Sequence, residues 1–170
     1  MTASRIGARG VPSEEAFRSL FSRHYGAVFG YAARRIGWDE AGDAAAEVFT
    51  VAWKKIRSVP DGSEALPWLY GVARRVVSNH RRSQRRRERL ESRVAVQPVR
   101  RVEQDPSDFE AALDSLSDDD REILMLAAWE GLGPAEMGSV LGCSANAASV
   151  RLHRARGRLE AAWGDHGGGR

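Results

Sequence analysis

The chain has 170 residues, which is room for one ordinary domain or two small ones and excludes a large multidomain enzyme. Apolar residues make up 42% and charged residues 29% of the sequence, as is typical of folded rather than disordered proteins. The net charge of +3 conceals an asymmetry, because residues 74–102 carry 11 basic and 2 acidic side chains, whereas residues 103–120 carry 8 acidic and 0 basic ones. A basic block of this kind favours phosphate groups as partners.

Several sequence features narrow the function classes. No apolar run approaches about 18 residues, and residues 1–10 have no apolar core, so we predict neither membrane insertion nor a secretory signal. Cys143 is the single cysteine, which excludes an intrachain disulfide, and the histidines are scattered. No nucleophile has a plausible base beside it. We therefore expect a cytoplasmic protein that is not an enzyme, with no catalytic residue, no metal and no cofactor.

Apolar side chains at helical spacing predict three helices and no strand in the first half of the chain. The first is expected to begin near Pro12–Ser13, with Ser13 as its N-cap, and to end near Gly37. The second begins near Asp39, and its apolar stripe places Phe49 and Trp53 in the core.

The third predicted helix begins between residues 63 and 67, and its apolar stripe ends near His80 while arginines continue to Arg93. Residues 96–107 contain prolines and no helical stripe, which predicts an acidic flexible linker. We therefore predict an all-α fold of two small helical domains, residues 13–95 and 108–163.

The second domain shows the pattern of a helix-turn-helix. Ser117, followed by Asp120, is typical of a helix start. Pro134 suits the first turn of the next helix, and residues 142–144 (Gly-Cys-Ser) form a short break before a helix that runs from Ala145 to about residue 163. Cys143 is predicted to pack in that turn.

The last helix divides into two sides. Ala148, Leu152, Ala155 and Leu159, spaced 4, 3 and 4 residues apart, form its narrow apolar side. The candidate DNA-binding residues lie opposite or beside that stripe: Asn146, Ser149, Val150, Arg151, His153, Arg154, Arg156 and Arg158. Asn, Val and Arg suit adenine, a thymine methyl and guanine, and flanking arginines suit phosphates or intramolecular pairs. The alternative is an amphipathic helix with a merely solvated basic face.

Ordered motifs in both halves resemble one family. The C-terminal series resembles region 4 of bacterial extracytoplasmic-function (ECF) sigma factors; it comprises Trp129-Glu130-Gly131-Leu132, Ala135-Glu136-Met137, Leu141-Gly142-Cys143-Ser144 and residues 151–159 (Arg-Leu-His-Arg-Ala-Arg-Gly-Arg-Leu). The N-terminal half is similar to region 2 of the same family over residues 17–31, 43–53, 68–75 and 79–82. Together the two resemblances cover most of residues 13–163, with a spacer too short for a middle domain.

The resemblance implies that residues 13–95 bind core RNA polymerase and the −10 promoter element, and that residues 108–163 bind the −35 element. Asp43, Glu47 and Lys54 match the polymerase-docking surface, although Ala46 stands where the family often has Gln. The residues implied at the −10 element are Trp68, Arg74, Arg75, Asn79, Arg81 and Arg82.

Among these, Asn79 is the candidate for a base contact and the arginines for the DNA backbone. Each arginine could instead be a solvated charge, and Trp68 or Tyr70 could stack on DNA or pack in the fold. At the −35 site, Ser149 stands where the family frequently has Lys or Arg, so one contact is expected to be missing.

The resemblance further implies promoter DNA, core RNA polymerase and an anti-sigma protein as partners, and nucleoid association within the holoenzyme. Glu103, Asp105 and Asp108 would imitate RNA in the polymerase, or the segment would be a plain tether; both interpretations stay open. The competing function is a stand-alone helix-turn-helix regulator. An all-α enzyme or RNA-binding protein has no motif in its favour.

Overall fold

A computed structural model describes residues 11–94 and 108–167 of the chain. Within these ranges every regular element is helical, which confirms the predicted all-α fold. The long helices are α1 (Val11–Ile36), α2 (Trp38–Lys54), α3 (Ala65–Val94), α4 (Asp108–Ser115), α5 (Asp118–Ala128), α6 (Pro134–Leu141) and α7 (Ala145–Gly167). Two short 3₁₀ helices, Ile56–Ser58 and Gly62–Glu64, connect α2 to α3.

The chain forms two compact units that divide between Arg82 and Ser83, a point that lies within α3. The predicted linker, residues 96–107, lies outside the described residues, so its character stays a prediction. In the described part of the chain, no helix has both the length and the apolar character needed to cross a membrane.

The first unit is built on α1 packed against α2, with the start of α3 completing its core. Val28, Tyr31, Val48 and Leu69 are almost completely buried there. α1 begins at Val11, so Ser13 lies in the first turn and the prediction of Ser13 as N-cap is wrong. The helix can start earlier because a proline in the first turn, here Pro12, lacks only an N–H that the helix does not use.

The end of α2 corrects one predicted core residue. Phe49 is 2% exposed, as expected, but Trp53 is 46% exposed, and its ring makes an edge contact with that of Phe17 at 5.1 Å between ring centroids. Four residues advance a helix by about 40° beyond one full turn. Trp53 is therefore rotated out of the apolar stripe on which Phe49 lies.

α3 combines a buried start with a basic continuation. Leu69, Ala73 and Val77 are buried, whereas the side chains of residues 85–90 are exposed. Tyr70 is 3% exposed and stacks on Tyr31 with ring centroids 5.2 Å apart. Of the two roles considered for Tyr70, packing is therefore confirmed.

The second unit has the predicted helix starts. Ser117 Oγ accepts a hydrogen bond from the Asp120 N–H at 3.2 Å, which confirms Ser117 as the cap of α5. The Glu136 carboxylate accepts from the Gly133 N–H at 2.8 Å at the start of α6. Ser144 Oγ accepts from the Ala147 N–H at 3.1 Å at the start of α7. Local capping chemistry thus defines the helix-turn-helix.

The turn between α6 and α7 depends on two glycines. Gly142 ends α6 in the left-handed region, with φ of 69°. Gly138 lies inside α6, and a Cβ atom at this position would be 2.6 Å from the main-chain oxygen of Cys143. The Cys143 N–H also donates to the Gly138 carbonyl at 2.9 Å. The two backbones approach so closely that no side chain fits at residue 138.

We expect Gly138→Ala to destabilise the second unit by about 1–3 kcal/mol, because the added methyl group overlaps a backbone oxygen. Unlike the end of a flexible side chain, this oxygen cannot move aside without shifting the turn. Native-state hydrogen exchange of the α6 and α7 amides in the full chain measures this change.

Gly157→Ala is the matched control, because nothing lies within 4 Å of a Cβ atom at that position in α7. It should stabilise the same helix by about 0.5–1 kcal/mol. Equal effects of the two substitutions would contradict the steric argument for Gly138.

Candidate nucleic-acid interface

The last helix, α7, presents a polar face opposite its contact with the rest of the second unit. Ala148 and Ala155 are fully buried, and Leu152 and Leu159 are half-buried beside them. The opposite side carries the exposed residues of the sequence prediction, Asn146, Ser149, Val150, His153 and Arg154. We call these five residues the reading face of α7. A polar face on the second helix of a helix-turn-helix is the surface that such motifs insert into the major groove.

Arginines border the reading face on both sides. At 100° per residue, Arg156 lies at one edge, and Arg151 and Arg158 lie at the other. All three are exposed, but Arg158 already has a partner within the unit. Its Nε and Nη2 donate to the two carboxylate oxygens of Asp120, each at 2.6 Å. Of the two roles predicted for Arg158, the structure shows the intramolecular pair.

The Asp120–Arg158 pair joins the first turn of α5 to α7. The Arg158 guanidinium holds the pKa of the Asp120 carboxyl below its usual value of 3.8, since its hydrogen bonds favour the ionised form. In the sequence, Asp120 is recognisable only as part of a helix-start signal. Its second role depends on the packing of α5 against α7.

Four of the predicted −10 residues share one face of α3. Trp68, Arg75, Asn79 and Arg82 fall within about 60° of one another around the helix axis. Arg75, Asn79 and Arg82 are exposed, and Trp68 is half-buried. The Arg82 guanidinium donates to Asn79 Oδ1 at 2.6 Å, which fixes the orientation of the Asn79 amide.

The structure does not bring Arg74 and Arg81 onto that face. Both are half-buried and lie about a quarter turn or more away around α3. The Arg81 guanidinium donates two hydrogen bonds, at 3.1 and 3.2 Å, to the main-chain oxygen of Arg35 in the last turn of α1. The carbonyls of a last helical turn have no partner within the helix, so Arg81 caps α1.

The predicted polymerase-docking residues also share a face. Asp43, Glu47 and Lys54 are exposed and lie within about 40° of one another on α2, opposite the buried Ala45 and Val48. One of them, Glu47, has a partner that the sequence did not reveal, His80 of α3. His80 also contacts a second carboxylate of α2, that of Glu40.

His80 lies between two carboxylates. Its Nε2 is 2.9 Å from Glu47 Oε1, and its Nδ1 is 3.4 Å from Glu40 Oε2. Burial lowers the pKa of His80, but the hydrogen bonds and negative charges of Glu47 and Glu40 outweigh burial and raise the pKa above 6.5. The sequence showed His80 only as the end of an apolar stripe. The seven-residue spacing of Glu40 and Glu47, two turns of one helix, was the available signal.

The described residues offer no metal centre: no three His, Cys, Asp or Glu side chains among them are arranged to hold an ion. The exposed faces of α3 and α7 present amide, hydroxyl, imidazole and guanidinium groups, which are the groups that proteins use toward bases and phosphates. The geometry thus defines a protein with a DNA-binding helix-turn-helix unit and a second helical unit that carries a basic face.

Comparisons with known proteins place this architecture in a family. Residues 20–87 match the family model of sigma-70 region 2, and residues 107–159 match that of sigma-70 region 4. The ECF RNA polymerase sigma factor EcfG of Rhodopseudomonas palustris (strain TIE-1) is 30% identical over 128 residues, covering 72% of this chain and 71% of the relative. CarQ, an RNA polymerase sigma factor of Myxococcus xanthus, is 29% identical and covers 90% of this chain and 92% of its own.

Two solved structures are similar as well. The sigma factor RpoE of Bartonella quintana, in complex with the anti-sigma factor NepR, has a TM-score of 0.64 and 27% identity, covering 87% of this chain and 96% of that one. CnrH, in complex with the cytosolic domain of CnrY, has a TM-score of 0.60 and 28% identity over 87% of each chain. The chain belongs to the ECF family of bacterial RNA polymerase sigma factors.

We expect Asp120→Asn to lower the unfolding temperature of the second unit by about 2–6 °C at neutral pH, because it removes the charged acceptor of Arg158. Since the pKa of Asp120 is lowered in the folded state, the contribution of its ionised carboxylate to the free energy of unfolding is present above pH 3.8 and is lost as the pH falls further. The difference from the wild-type chain should therefore shrink below pH 3.8. Amide NMR signals of α5 and α7, followed during heating, measure both effects.

Asp114→Asn is the comparison variant, because Asp114 is 78% exposed and its contact with Arg121 is longer, 3.5 Å. It should change the unfolding temperature less than Asp120→Asn does. A difference for Asp120→Asn that stayed constant from neutral pH to about pH 3 would show that the ion pair is not its cause.

Proposed function

We propose that this chain binds core RNA polymerase, directs it to promoters with −10 and −35 elements and helps to separate the strands, without catalysing a reaction itself. The observation that carries this proposal is the presence of two exposed faces, one on α3 and one on α7, in a member of the sigma family. A stand-alone regulator requires only the face on α7.

For the −35 element, we propose that the reading face of α7 contacts base edges in the major groove of duplex DNA. Asn146 suits adenine, Arg154 suits guanine, and Val150, 41% exposed, suits a thymine methyl group. Arg151 and Arg156 would contact phosphates at the two edges, while Arg158 holds the helix through Asp120. With Ser149 in place of a cation, specificity would rest mainly on Asn146 and Arg154.

For the −10 element, we propose that Asn79 contacts a base of the separated strand and that Arg75 and Arg82 grip its backbone. The support is their common exposed face and the hydrogen bond from Arg82 that orients the Asn79 amide. Trp68, half-buried on the same face, would stack at its edge. We assign Arg81 a structural role, because its guanidinium donates to the Arg35 carbonyl. A backbone contact by Arg74, which lies beside this face, stays a prediction.

For polymerase docking, we propose the exposed face of Asp43, Glu47 and Lys54 on α2. The side chains on this face carry charges of both signs, which suits a partner surface with complementary charges. Ala46 is exposed beside them and supplies no hydrogen-bonding group where the family often has Gln. Docking would therefore depend on the three charged residues.

An anti-sigma protein is the third proposed partner, because similar chains were solved in complex with NepR and with the cytosolic domain of CnrY. We propose the boundaries 13–95 and 108–163 for the two functional domains, with residues 96–107 as the linker. Glu103, Asp105 and Asp108 would either imitate RNA or form a tether. Action within the cytoplasmic nucleoid follows from the partnership with polymerase and promoter DNA.

Reconstituted transcription tests the proposal directly. Purified full chain added to sigma-free bacterial core polymerase should produce transcripts with defined start sites from genomic DNA of the source bacterium, and core alone should not. Sequencing of the transcript 5′ ends would then give the promoters. Binding to core is measured separately, by the anisotropy of a fluorescent label on the chain.

Failure to bind core polymerase would refute the proposal. Sequence-specific binding of the chain alone to duplex DNA, with no effect on transcript start sites, would favour the stand-alone regulator instead. Binding to core without defined start sites would refute promoter recognition but leave polymerase docking standing.

Arg154→Ala should weaken the affinity of the full chain for duplex −35 DNA by about 1–3 kcal/mol if Arg154 contacts a base, and should relax specificity at one position. Arg57→Ala, which removes the same charge from the 3₁₀ helix Ile56–Ser58 of the first unit, is the matched control. Anisotropy titrations at several salt concentrations separate the two kinds of contact, since a phosphate contact changes the salt dependence instead. Equal affinities for all three chains would remove Arg154 from the interface.

A further inference from the structure

His80 joins the two functional helices of the first unit. It lies on α3, immediately after Asn79, and its ring contacts two carboxylates on α2. One of them, Glu47, belongs to the proposed docking face. The ring is therefore placed between the helix that would bind polymerase and the helix that would read the −10 element.

The geometry around the ring favours its protonated form. Both ring nitrogens face a carboxylate oxygen, Nε2 that of Glu47 at 2.9 Å and Nδ1 that of Glu40 at 3.4 Å. Neutral imidazole has a single N–H, so one nitrogen would turn a lone pair toward a negative oxygen. Only the imidazolium donates to both carboxylates at once.

His80 lies where α3 leaves the core of the first unit. Val77 is buried in the core, whereas Arg82 and residues 85–90 are exposed. Here two side chains attach α3 to other helices of the first unit, His80 to α2 and Arg81 to α1. Of these two attachments, only the one through His80 changes its charge near neutral pH.

The charged groups in contact with His80 come from α2. This helix supplies Glu40 and Glu47, with Asp43 exposed on the same side. On α1, the Arg35 guanidinium is directed to the Tyr31 ring, 3.5 Å from its centre. On α3 itself, Arg81 is directed to the Arg35 carbonyl. The groups in direct contact with the ring are therefore the two carboxylates.

We propose that His80 is a positioning residue for promoter opening, whose imidazolium holds α3 to α2 and so keeps the −10 face in a fixed orientation to the polymerase-docking face. This inference rests on the proposed function. As the pH rises and the imidazolium loses its proton, the second carboxylate contact becomes repulsive, and the −10 face keeps only the attachment through Arg81. Promoter opening, more than polymerase binding, should therefore depend on His80 and on pH.

The test uses holoenzyme assembled from core polymerase and the full chain, with saturating core binding verified by anisotropy. Open complexes on a promoter found by reconstituted transcription are measured by permanganate reactivity of unpaired thymines, between about pH 6 and about pH 8.5, a range that brackets imidazole titration. The variant is His80→Gln, which is polar but uncharged. The result is the ratio of the amount of open complex formed with the wild-type chain to that formed with the variant at each pH. This ratio cancels the pH dependence of the polymerase itself.

We expect a ratio of about two to five at the low end of the pH range, falling toward one at the high end. An effect of this size corresponds to the modest strength of a partly exposed ion pair. Glu40→Gln should flatten the pH dependence of the wild-type chain, because it removes one of the two carboxylates. His24→Gln is the matched control: His24, on α1, has its pKa lowered by burial and by Arg23, so it should give a ratio near one throughout.

Two outcomes would overturn the inference while leaving the proposed function intact. The first is a His80→Gln ratio of one at every pH. The second is a ratio above one that does not vary with pH, which would show that the ring acts through packing and not through its charge. Loss of core binding by the wild-type chain itself would be a failure of the proposed function, and the anisotropy measurement identifies that case independently.

Discussion

Each functional helix of this protein packs one side against the core of its own unit and leaves the other side for a partner. A helix turns by 100° per residue, so a side chain that faces inward fixes which neighbours face outward. On α3, burial of Leu69, Ala73 and Val77 leaves Arg75 and Asn79 outside, and on α7, burial of Ala148 and Ala155 leaves the reading face outside. The apolar contacts thus determine both the stability of each unit and which side chains are left exposed.

This division also explains where the polar anchors lie. Arg81 and Arg158 occupy the flanks of their helices, between the buried stripe and the outward face, whereas His80 lies at the end of the buried stripe of α3. Each of the three reaches an acceptor on another helix. A position at the margin of the core is exposed enough for a charged group to stay hydrated. It is also close enough to a neighbouring helix for that group to form a hydrogen bond or an ion pair. Charged pairs of this kind add modest stability but fix orientation, because a bidentate or bridging contact has few alternative geometries.

Periodicity and capping signals were sufficient to predict much of the architecture. Ser117, Pro134 and Ser144 mark their helix starts with local chemistry, and the two sides of α7 follow from spacing alone. Contacts between helices distant in the sequence were not predictable in this way. Arg158 with Asp120, His80 with Glu40 and Glu47, and the approach of Gly138 to Cys143 all depend on tertiary packing. Trp53 is a different case, because its position about 40° beyond Phe49 already takes it out of the apolar stripe of α2.

The attachment of α7 has a consequence for how such a protein can change over evolutionary time. The groups that hold this helix in the unit, Ala148, Ala155 and Arg158, are different residues from those on the reading face. Substitutions at Asn146, Ser149 or Arg154 therefore leave the supporting contacts in place. With the reading face in its proposed role at the −35 element, a duplicated gene could acquire a new target sequence through a few such changes while its product still folds. Designers of orthogonal gene circuits would have the same freedom at those positions.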